Sequence, residues 1–474
     1  MDEHEIPEGW ERTTIGQIAE INPSKPPASA LPADAPVTFV PMPAVSAESG
    51  TIEALATRGF HEVRKGYTAF REGDVLFAKI TPCMENGKAA IARDLANGLG
   101  FGSSEFHVLR ASGAVLPEFL HRFVRQQSFR DVAESNMGGS VGQQRVPESF
   151  LDGFVFDLPP LAEQHRILAK LDEVLSGVNA SRDRLAWVPG ILKRFRQAVL
   201  AAACSGRLTE AWRAQQGSDG GDGDGFPPGW TSATLGELSS LVTSGSRGWA
   251  KYYAGSGAIF IRSQDISTDE LLLDDVAHVS VPQSAEGART RVQQADLLVT
   301  ITGANVAKAA RVTTSLDEAY VSQHVALIRP HDPSTSPFLH LWLRSTEHAR
   351  GELLDLAYGA GKPGLNLSNI RDVRVVLPPA PERDEIVRRV DAFLVLADSI
   401  ESRVAAANAR ADRLTQAVLA KAFRGELVPT EAELARQDGR PFESADELLA
   451  RIRATLVEAR PKRSLRGRRR SSST

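Results

Sequence analysis

Several short stretches of the sequence approach motifs that carry out chemistry, and each lacks a required residue. Gly361-Lys362-Pro363 and Gly87-Lys88-Ala89 lack the Ser or Thr that follows the lysine of a phosphate-binding P-loop. His61-Glu62 stands alone, without the second histidine of a zinc-protease helix. Asn22-Pro23-Ser24 departs at its third position from the Asn/Asp-Pro-Pro-Tyr signature of adenine methyltransferases. These departures predict a binding and scaffolding protein that is not itself an enzyme.

The composition narrows the class of protein. Hydrophobic residues make up 42% and charged residues 24% of the 474 residues, as in a globular protein of two to four domains. No apolar run approaches the roughly 18 residues that span a bilayer, and the acidic N-terminus lacks the apolar core of a signal peptide. Cys83 and Cys204 are the two cysteines. A disulfide framework is therefore not expected, and a cytoplasmic location is.

Charge is concentrated at the C-terminus. The net charge is −4, although the last fourteen residues, PKRSLRGRRRSSST, carry six basic groups and no acid. Any binding to nucleic acid must therefore use local basic patches or the charge of a partner. The Asp-rich stretch QQGSDGGDGDG at 215–225 resembles a calcium loop but lacks the bidentate Glu, so we interpret it as a flexible linker with no metal site.

The chain is an internal duplication. Several pairs of segments match in the same order along the two halves, and the offset between the members of a pair is nearly constant. The clearest pairs are PEGWERTTIGQI at 7–18 with PPGWTSATLGEL at 227–238, LPPLAEQHRI at 158–167 with LPPAPERDEI at 377–386, and RQAVLAAACSGRL at 196–208 with TQAVLAKAFRGEL at 415–427.

Each half contains two kinds of structure. The first part alternates short apolar strands with Gly, Pro and Ser turns and a few helices, which predicts a mixed α/β (α+β) globule. The second part repeats apolar residues at spacings of three and four, which predicts a long helical rod. We therefore expect two similar globules at 1–158 and 227–377 and two rods at 159–214 and 378–428. A linker at 215–226 joins the two halves, and a C-terminal extension with a basic tail follows at 429–474.

The sequence also predicts how each rod begins and ends. Pro159-Pro160 and Pro378-Pro379 cannot continue a strand and favour a helix start, so we interpret each as a stiff joint between globule and rod. Gly206 and Gly425 occupy the position of a glycine that closes a helix. Pro189 should kink the first rod, which has a length of roughly 60 Å. Two related halves can bury their apolar stripes if the rods pack antiparallel as a coiled coil, with a pseudo-twofold axis between the halves.

These features together resemble a known family. A globule that opens with P-x-G-W, a joint L-P-P-x-x-E, and a rod that ends in R-Q-A-V-L-A-A-A-C-S-G-R-L, all repeated, are similar to the DNA-specificity subunit of type I restriction–modification systems. The resemblance covers residues 7 to about 428. It implies two target recognition domains, each of which reads one half of a bipartite sequence in double-stranded DNA.

The resemblance also implies partners. Adenine-specific DNA methyltransferase subunits, two of them by expectation, would dock on the rods and use S-adenosylmethionine. Restriction and translocase subunits would add ATP and Mg²⁺. These cofactors would belong to the partners, and this chain would bind none of them.

Base readers are usually Arg, Lys, Asn and Gln side chains on loops. The Gly-rich loops at 137–146 and 358–367 each keep three glycines and change their polar residues, as expected of a fixed frame with variable readers. The alternative is that these are ordinary solvated loop residues. The candidates are Lys79, Thr81, Gln143, Gln144 and Arg145 in the first globule, and Arg247, Lys251, Arg262, Gln264, Asn305, Lys308, Lys362 and Asn366 in the second.

Two other functions remain open on the sequence alone. One is a coiled-coil adaptor that binds only proteins. The other is a nuclease or methyltransferase whose motifs are unrecognisable. The basic tail is either a solvated extension or a phosphate contact without sequence preference.

Overall fold

The computed structural model describes residues 5–140, 142–217, 225–280, 289–359 and 363–458. The chain forms two compact units. Unit 1 contains Met1–Arg184 and Ala407–Thr474, and unit 2 contains Leu185–Ala406. The division therefore falls within both predicted rods. Most of the predicted linker, the basic tail and Lys362 lie outside the described residues.

Twenty strands occur in the described part of the chain. In unit 1 they are β1 Glu11–Thr14, β2 Ala19–Ile21, β3 Pro36–Val40, β4 Ala56–Gly59, β5 Thr68–Arg71, β6 Val75–Ala78, β7 Ala89–Ile91, β8 Leu99–Gly102, β9 Phe106–Ala111 and β10 Val155–Leu158. In unit 2 they are β11 Thr231–Thr234, β12 Ser239–Ser244, β13 Tyr253–Ala254, β14 Ala258–Ile261, β15 Ala277–Val279, β16 Leu297–Thr300, β17 Ala309–Arg311, β18 Ala319–Val321, β19 Val325–Pro330 and β20 Arg374–Leu377.

The first sheet has the same strand order in the two units, and the second sheet shares three of its four strands, namely β4-β3-β8 in unit 1 and β15-β14-β18 in unit 2. Unit 1 has four-stranded sheets in the orders β2-β9-β6-β7 and β4-β3-β8-β5, and unit 2 has β12-β19-β16-β17 and β13-β15-β14-β18. The parallel pairs β3/β8 and β14/β18 correspond. Strands β6 and β16 are buried at every residue, as expected of strands covered on both faces. This arrangement confirms the mixed α/β fold and the internal duplication.

Short helices surround the sheets, and long helices form the rods. The short α-helices are Ile15–Ile18, Phe60–Val63, Pro117–Val124, Gln127–Ser135, Glu148–Gly153, Glu210–Gln215, Ser336–Arg344, Ala349–Leu356, Leu367–Arg371 and Glu431–Asp438, and Ala445–Glu458 is longer. The first rod consists of Leu161–Ala186 and Val188–Cys204, and the second rod is the continuous helix Ala380–Phe423. The first rod is interrupted at Trp187, just before Pro189, as predicted, whereas the second rod is one continuous helix.

The two joints connect strand to helix directly. β10 ends at Leu158 and the first rod begins at Leu161, whereas β20 ends at Leu377 and the second rod begins at Ala380. The two prolines between them cannot extend the strand ladder, because they have no backbone N–H. At the start of a helix the missing N–H breaks no helical hydrogen bond. The prediction of a structural joint is confirmed. Gly206 and Gly425 follow the rods with φ of +76° and +74°, the left-handed conformation that a closing glycine adopts.

A tryptophan–glutamate bond explains why the opening motif and the joint recur together. In unit 1 the indole Nε1 of Trp10 donates to Glu163 at 2.9 Å. In unit 2 Trp230 donates to Glu382 at 3.0 Å. The tryptophan of P-x-G-W thus fixes the first residues of the globule to the first turn of the rod.

Within each unit, one segment of each rod packs against the other in antiparallel order. In unit 1, Arg182 bonds Asp412 of the second rod, and Arg166, nearer the start of the first rod, bonds Glu431, which lies shortly after the end of the second rod. The residue numbers therefore rise along one segment where they fall along the other. In unit 2, Arg196 bonds Asp398 at 2.7 Å and Arg389 donates to the carbonyl of Leu208 at 2.9 Å. The antiparallel prediction is confirmed for each pair of segments.

The predicted apolar stripe is only partly buried. Leu171 and Leu175 pack with Leu419 in the core of unit 1, and Ile386 and Val390 lie in the core of unit 2. The apolar spacing also places Leu414 in the stripe, but its side chain is exposed, so that prediction is wrong. The core at this end of the second rod uses positions further along the helix.

The C-terminal extension belongs to unit 1. Leu448 and Leu449 of helix Ala445–Glu458 are buried in its main core, and the backbone N–H of Ala445 donates to the carbonyl of Gly9 at 2.9 Å. The sequence alone predicts no structural role for this segment. Its apolar face completes the first globule.

Candidate nucleic-acid interface

In unit 1 the Gly-rich loop lies beside the end of β6. The backbone N–H and C=O of Arg145 bond Gly138 at 2.8 and 2.9 Å and close the loop at its base. The N–H of Thr81 donates to Gln144 at 3.0 Å, and the N–H of Lys79 donates to Glu105 at 2.9 Å. The structure therefore brings all five predicted residues of the first globule together at one end of the sheet.

The side chains in this group differ in their freedom. Gln143 is exposed, and Lys79, Thr81 and Gln144 are half-buried or exposed. The hydroxyl of Thr81 donates to Glu85 at 2.9 Å. Arg145 forms a two-bond ion pair with Glu105, with both N–O distances at 2.9 Å. This contact lowers the pKa of the Glu105 carboxyl, because Arg145 stabilises its charged form.

A buried histidine supports the loop from below. Nε2 of His107 donates to the carbonyl of Val146 at 2.8 Å. Burial lowers the pKa of His107, so the ring is held neutral and its Nδ1 can accept from the amide of Asn22 at 3.0 Å. Asn22 in turn donates to Glu148 at 2.7 Å. Sequence reasoning missed His107 and Glu105, since they lie far before the loop in the sequence and share no motif with it.

Unit 2 repeats the backbone frame with different side chains. Gly303 donates to Pro363 at 3.0 Å and Leu365 donates to Ile301 at 2.8 Å, as Thr81 and Val146 do in unit 1. The loop closes between Tyr358 and Gly364. At the base of this loop the hydroxyl of Thr302 contacts Nδ1 of His324.

These bonds correct the alignment of the two loops. The bond pattern equates Arg145 with Gly364 and Val146 with Leu365, an offset of 219, whereas the sequence comparison used 221. The loop of unit 2 is thus one residue shorter between its closing pair. Asn366 consequently lies after the loop, where its side chain caps helix Leu367–Arg371 by accepting from the N–H of Asn369 at 2.8 Å.

A second group of predicted residues surrounds the turn that follows β14. The backbone N–H of Arg262 donates to the carboxylate of Asp265 at 2.7 Å, and the guanidinium of Arg262 donates to the same carboxylate at 3.0 Å. Asn305 donates to the carbonyl of Ser263 at 3.2 Å, next to the exposed Gln264. The Nζ of Lys308 lies 3.9 Å from Oδ2 of Asp269. Arg262 and Asn305 therefore stabilise this turn, whatever else they contact.

The basic-aromatic cluster is divided between core and surface. Trp249 is buried and stacks on Phe260, with ring centroids 5.1 Å apart. Tyr253 is half-exposed, and Lys251 lies over the ring of Tyr252. Arg247 is exposed. The structure thus assigns Trp249 to the core and leaves the basic residues at the surface.

Buried ion pairs fix the strands that carry these loops. In unit 1, Asp74 beside β6 accepts two bonds from Arg110 of β9 at 2.9 and 2.7 Å. In unit 2, Asp296 accepts two bonds from Arg329 at 2.8 and 2.7 Å. The same pair in both units belongs to the common frame.

Other kinds of site are not evident in the part of the chain that the structure describes. There, no cluster of three or more His, Cys, Asp or Glu side chains is placed to hold a metal ion. No helix in the same residues is both long and apolar enough to cross a membrane.

The duplicated frame and its variable loops define a protein built from two related recognition units. Residues 7–185 and 229–406 each match the type I restriction modification DNA specificity domain. Because these two matches cover more than half of the chain, it belongs to that family.

Known relatives agree with this assignment. The chain is 36% identical over 297 residues to the type I restriction enzyme EcoBI specificity subunit of Escherichia coli, which is 61% of each chain. It is 31% identical over 336 residues to the EcoKI specificity subunit of Escherichia coli strain K12, which is 68% of each. The match thus spans less than two thirds of the EcoBI subunit.

A solved structure of a type I R-M system contains a chain with the same fold. The TM-score is 0.73 and the identity is 23%, over 89% of this chain and 100% of that chain. The two-domain fold with long helices is therefore shared.

Proposed function

We propose that this chain is the DNA-specificity subunit of a type I restriction–modification complex. Each unit reads one half of a bipartite target in double-stranded DNA. The rods carry methyltransferase and restriction subunits. The chain itself contributes no catalytic group, and it works in the cytoplasm with the chromosome.

The observation that carries the proposal is the pair of Gly-rich loops. Both loops are fixed by the same backbone bonds to the segment that directly follows β6 or β16. Their side chains differ, since Arg145 with Glu105 in unit 1 corresponds to Gly364 with His324 in unit 2. A constant frame with different polar groups suits two readers of two different half-sites.

The proposed readers are those in which a polar side chain is accessible. In unit 1 they are Lys79, Thr81, Gln143, Gln144 and Arg145. In unit 2 they are Gln264, Arg247 and Lys251, with Lys308, Arg262, Asn305 and Asn366 at positions where they also stabilise the local fold. Lys362 stays in the proposal on sequence alone.

The cofactors of the complex are assigned to its other subunits. S-adenosylmethionine would bind two methyltransferase subunits, and ATP with Mg²⁺ would bind the restriction subunits. This chain would position those subunits over the target adenines and bind none of these cofactors.

The test is co-expression with an adenine methyltransferase, sought beside this reading frame in the genome. Sequencing of methylated genomic DNA should show one bipartite motif with two different half-sites, and the chain alone should methylate nothing. Methyl transfer by the isolated chain with S-adenosylmethionine would identify an enzyme. A complex that forms but methylates no fixed sequence would favour the protein-binding adaptor.

A further inference from the structure

Arg145 is held unusually firmly for a side chain on a loop. Nε and Nη2 of its guanidinium each donate to Glu105 at 2.9 Å, and Nη1 donates to the carbonyl of Gln143 at 3.0 Å. Its backbone closes the loop against Gly138. Even so, 42% of the side chain remains exposed. The group is therefore both fixed and accessible.

The bonding pattern leaves a defined pair of donors. A guanidinium has five N–H bonds in one plane, of which three are used here. The side-on bond to Glu105 uses the Nη2 hydrogen that faces Nε, and Gln143 uses one hydrogen of Nη1. One N–H therefore remains on each Nη nitrogen. These two coplanar donors, on the two terminal nitrogens of one guanidinium, are of the kind that pairs with N7 and O6 on the major-groove edge of guanine.

We propose that Arg145 reads a guanine in the half-site bound by unit 1, and that Glu105 is the positioning residue that holds its guanidinium for that contact. This inference rests on the proposed function. The inference adds to the proposed function the base that is read, the groove in which it is read and a positioning residue outside the loop. The carboxylate does not itself contact the base.

At the two equivalent positions, both of which the structure describes, unit 2 has residues that cannot form this fork. Gly364 occupies the place of Arg145, and His324 occupies the place of Glu105. By contrast, the ion pair Asp74–Arg110 recurs in unit 2 as Asp296–Arg329. The frame is duplicated and the arginine fork is not, so the guanine contact belongs to one half-site.

The test uses the complex of this chain with its methyltransferase and duplex oligonucleotides that carry the motif found by methylome sequencing. Each guanine of the motif is replaced in turn by 7-deazaguanine, which removes N7, and separately by inosine, which alters only the minor groove. At one position 7-deazaguanine should weaken binding about 10- to 150-fold, the range for one lost hydrogen bond to a charged group. Inosine at that position should leave binding unchanged.

The variants identify the residue responsible. The Arg145→Ala complex should bind more weakly but should lose no further affinity with 7-deazaguanine at that position. Glu105→Gln should reduce the sensitivity to 7-deazaguanine while retaining Arg145. Arg145→Lys should relax the same position in the methylome, because an ammonium cannot form the planar fork.

The matched control is the pair Arg12–Asp157, which has nearly the same exposure (44% and 28%, against 42% and 26%) and lies on the sheet β1-β10. Asp157→Asn should leave the response to 7-deazaguanine intact. If the wild-type complex tolerates 7-deazaguanine at every guanine, or if Arg145→Ala keeps the full sensitivity, the inference is overturned even when the variants fold poorly. Absence of any bipartite motif in the wild type would instead overturn the proposed function.

Discussion

Removal of the buried carboxylate of Asp74 should loosen the strands that carry the Gly-rich loop of unit 1. The side chain of Asp74 is 2% exposed and accepts two bonds from Arg110 and a third, at 2.7 Å, from the backbone N–H of Arg71. Asp74→Ala would leave both donors without this acceptor. Truncation of one partner in a buried ion pair costs about 3–5 kcal/mol.

The structure favours the lower end of that range. Arg110 keeps 27% of its side chain exposed and lies 3.9 Å from Glu20, so water and a second carboxylate can compensate part of the loss. We therefore expect Asp74→Ala to lower the free energy of opening of β6 and β9 by about 3 kcal/mol. The double variant Asp74→Ala/Arg110→Ala should cost less than the sum of the single variants by about 1–3 kcal/mol.

Unit 2 provides an internal replicate. Asp296 is 1% exposed and accepts two bonds from Arg329, which is 24% exposed. Asp296→Ala should therefore cost β16 and β19 a similar free energy. Hydrogen exchange followed by mass spectrometry measures each strand separately, which suits a chain of two units that need not unfold together.

The reasoning is refuted by either of two results. One is a loss of less than about 1 kcal/mol in β6 and β9, which would mean that the pair is no stronger than a surface ion pair. The other is additivity of the two single variants, which would mean that Asp74 and Arg110 do not interact energetically.

Three further predictions concern unit 1. Trp10→Phe removes a donor from the buried carboxylate of Glu163 and should cost unit 1 about 1–3 kcal/mol, measured by hydrogen exchange of β1 and of the first turns of the first rod. A loss under about 0.5 kcal/mol would contradict the bond. Burial lowers the pKa of His107 from 6.5, so the contribution of the neutral ring to stability is complete above pH 6.5 and is lost as the pH falls through the folded-state pKa. His107→Gln should abolish this part of the acid sensitivity of unit 1. Hydrogen exchange of the intact chain between about pH 7.5 and 5 measures the effect. Gly139 has φ of +123°, and a Cβ there would lie 2.9 Å from the carbonyl oxygen of Gln143, so Gly139→Ala should distort the loop and relax one half-site in the methylome, whereas Gly138→Ala, which meets open space, should not.

The repeated elements could be predicted from the sequence because each depends on residues close together in the chain. The prolines after Leu158 and Leu377, the apolar spacing of the rods and the closing glycines at 206 and 425 all act within one or two helical turns. The duplication then identified the same elements twice. The family resemblance depended on these local motifs, and the match at residues 7–185 and 229–406 confirmed it.

The composition of the candidate site was decided by tertiary structure. Glu105 and His107 meet the loop at Arg145 and Val146 only because β9 lies beside β6, a pairing between strands distant in sequence that no local pattern encodes. The position of Asn366 depended on a shortened loop that a constant offset could not reveal. The same holds for Leu448 and Leu449, whose apolar side chains fill the core of a globule that begins near the opposite end of the chain. Periodicity determines which face of an element is apolar, whereas long-range packing alone determines what that face meets.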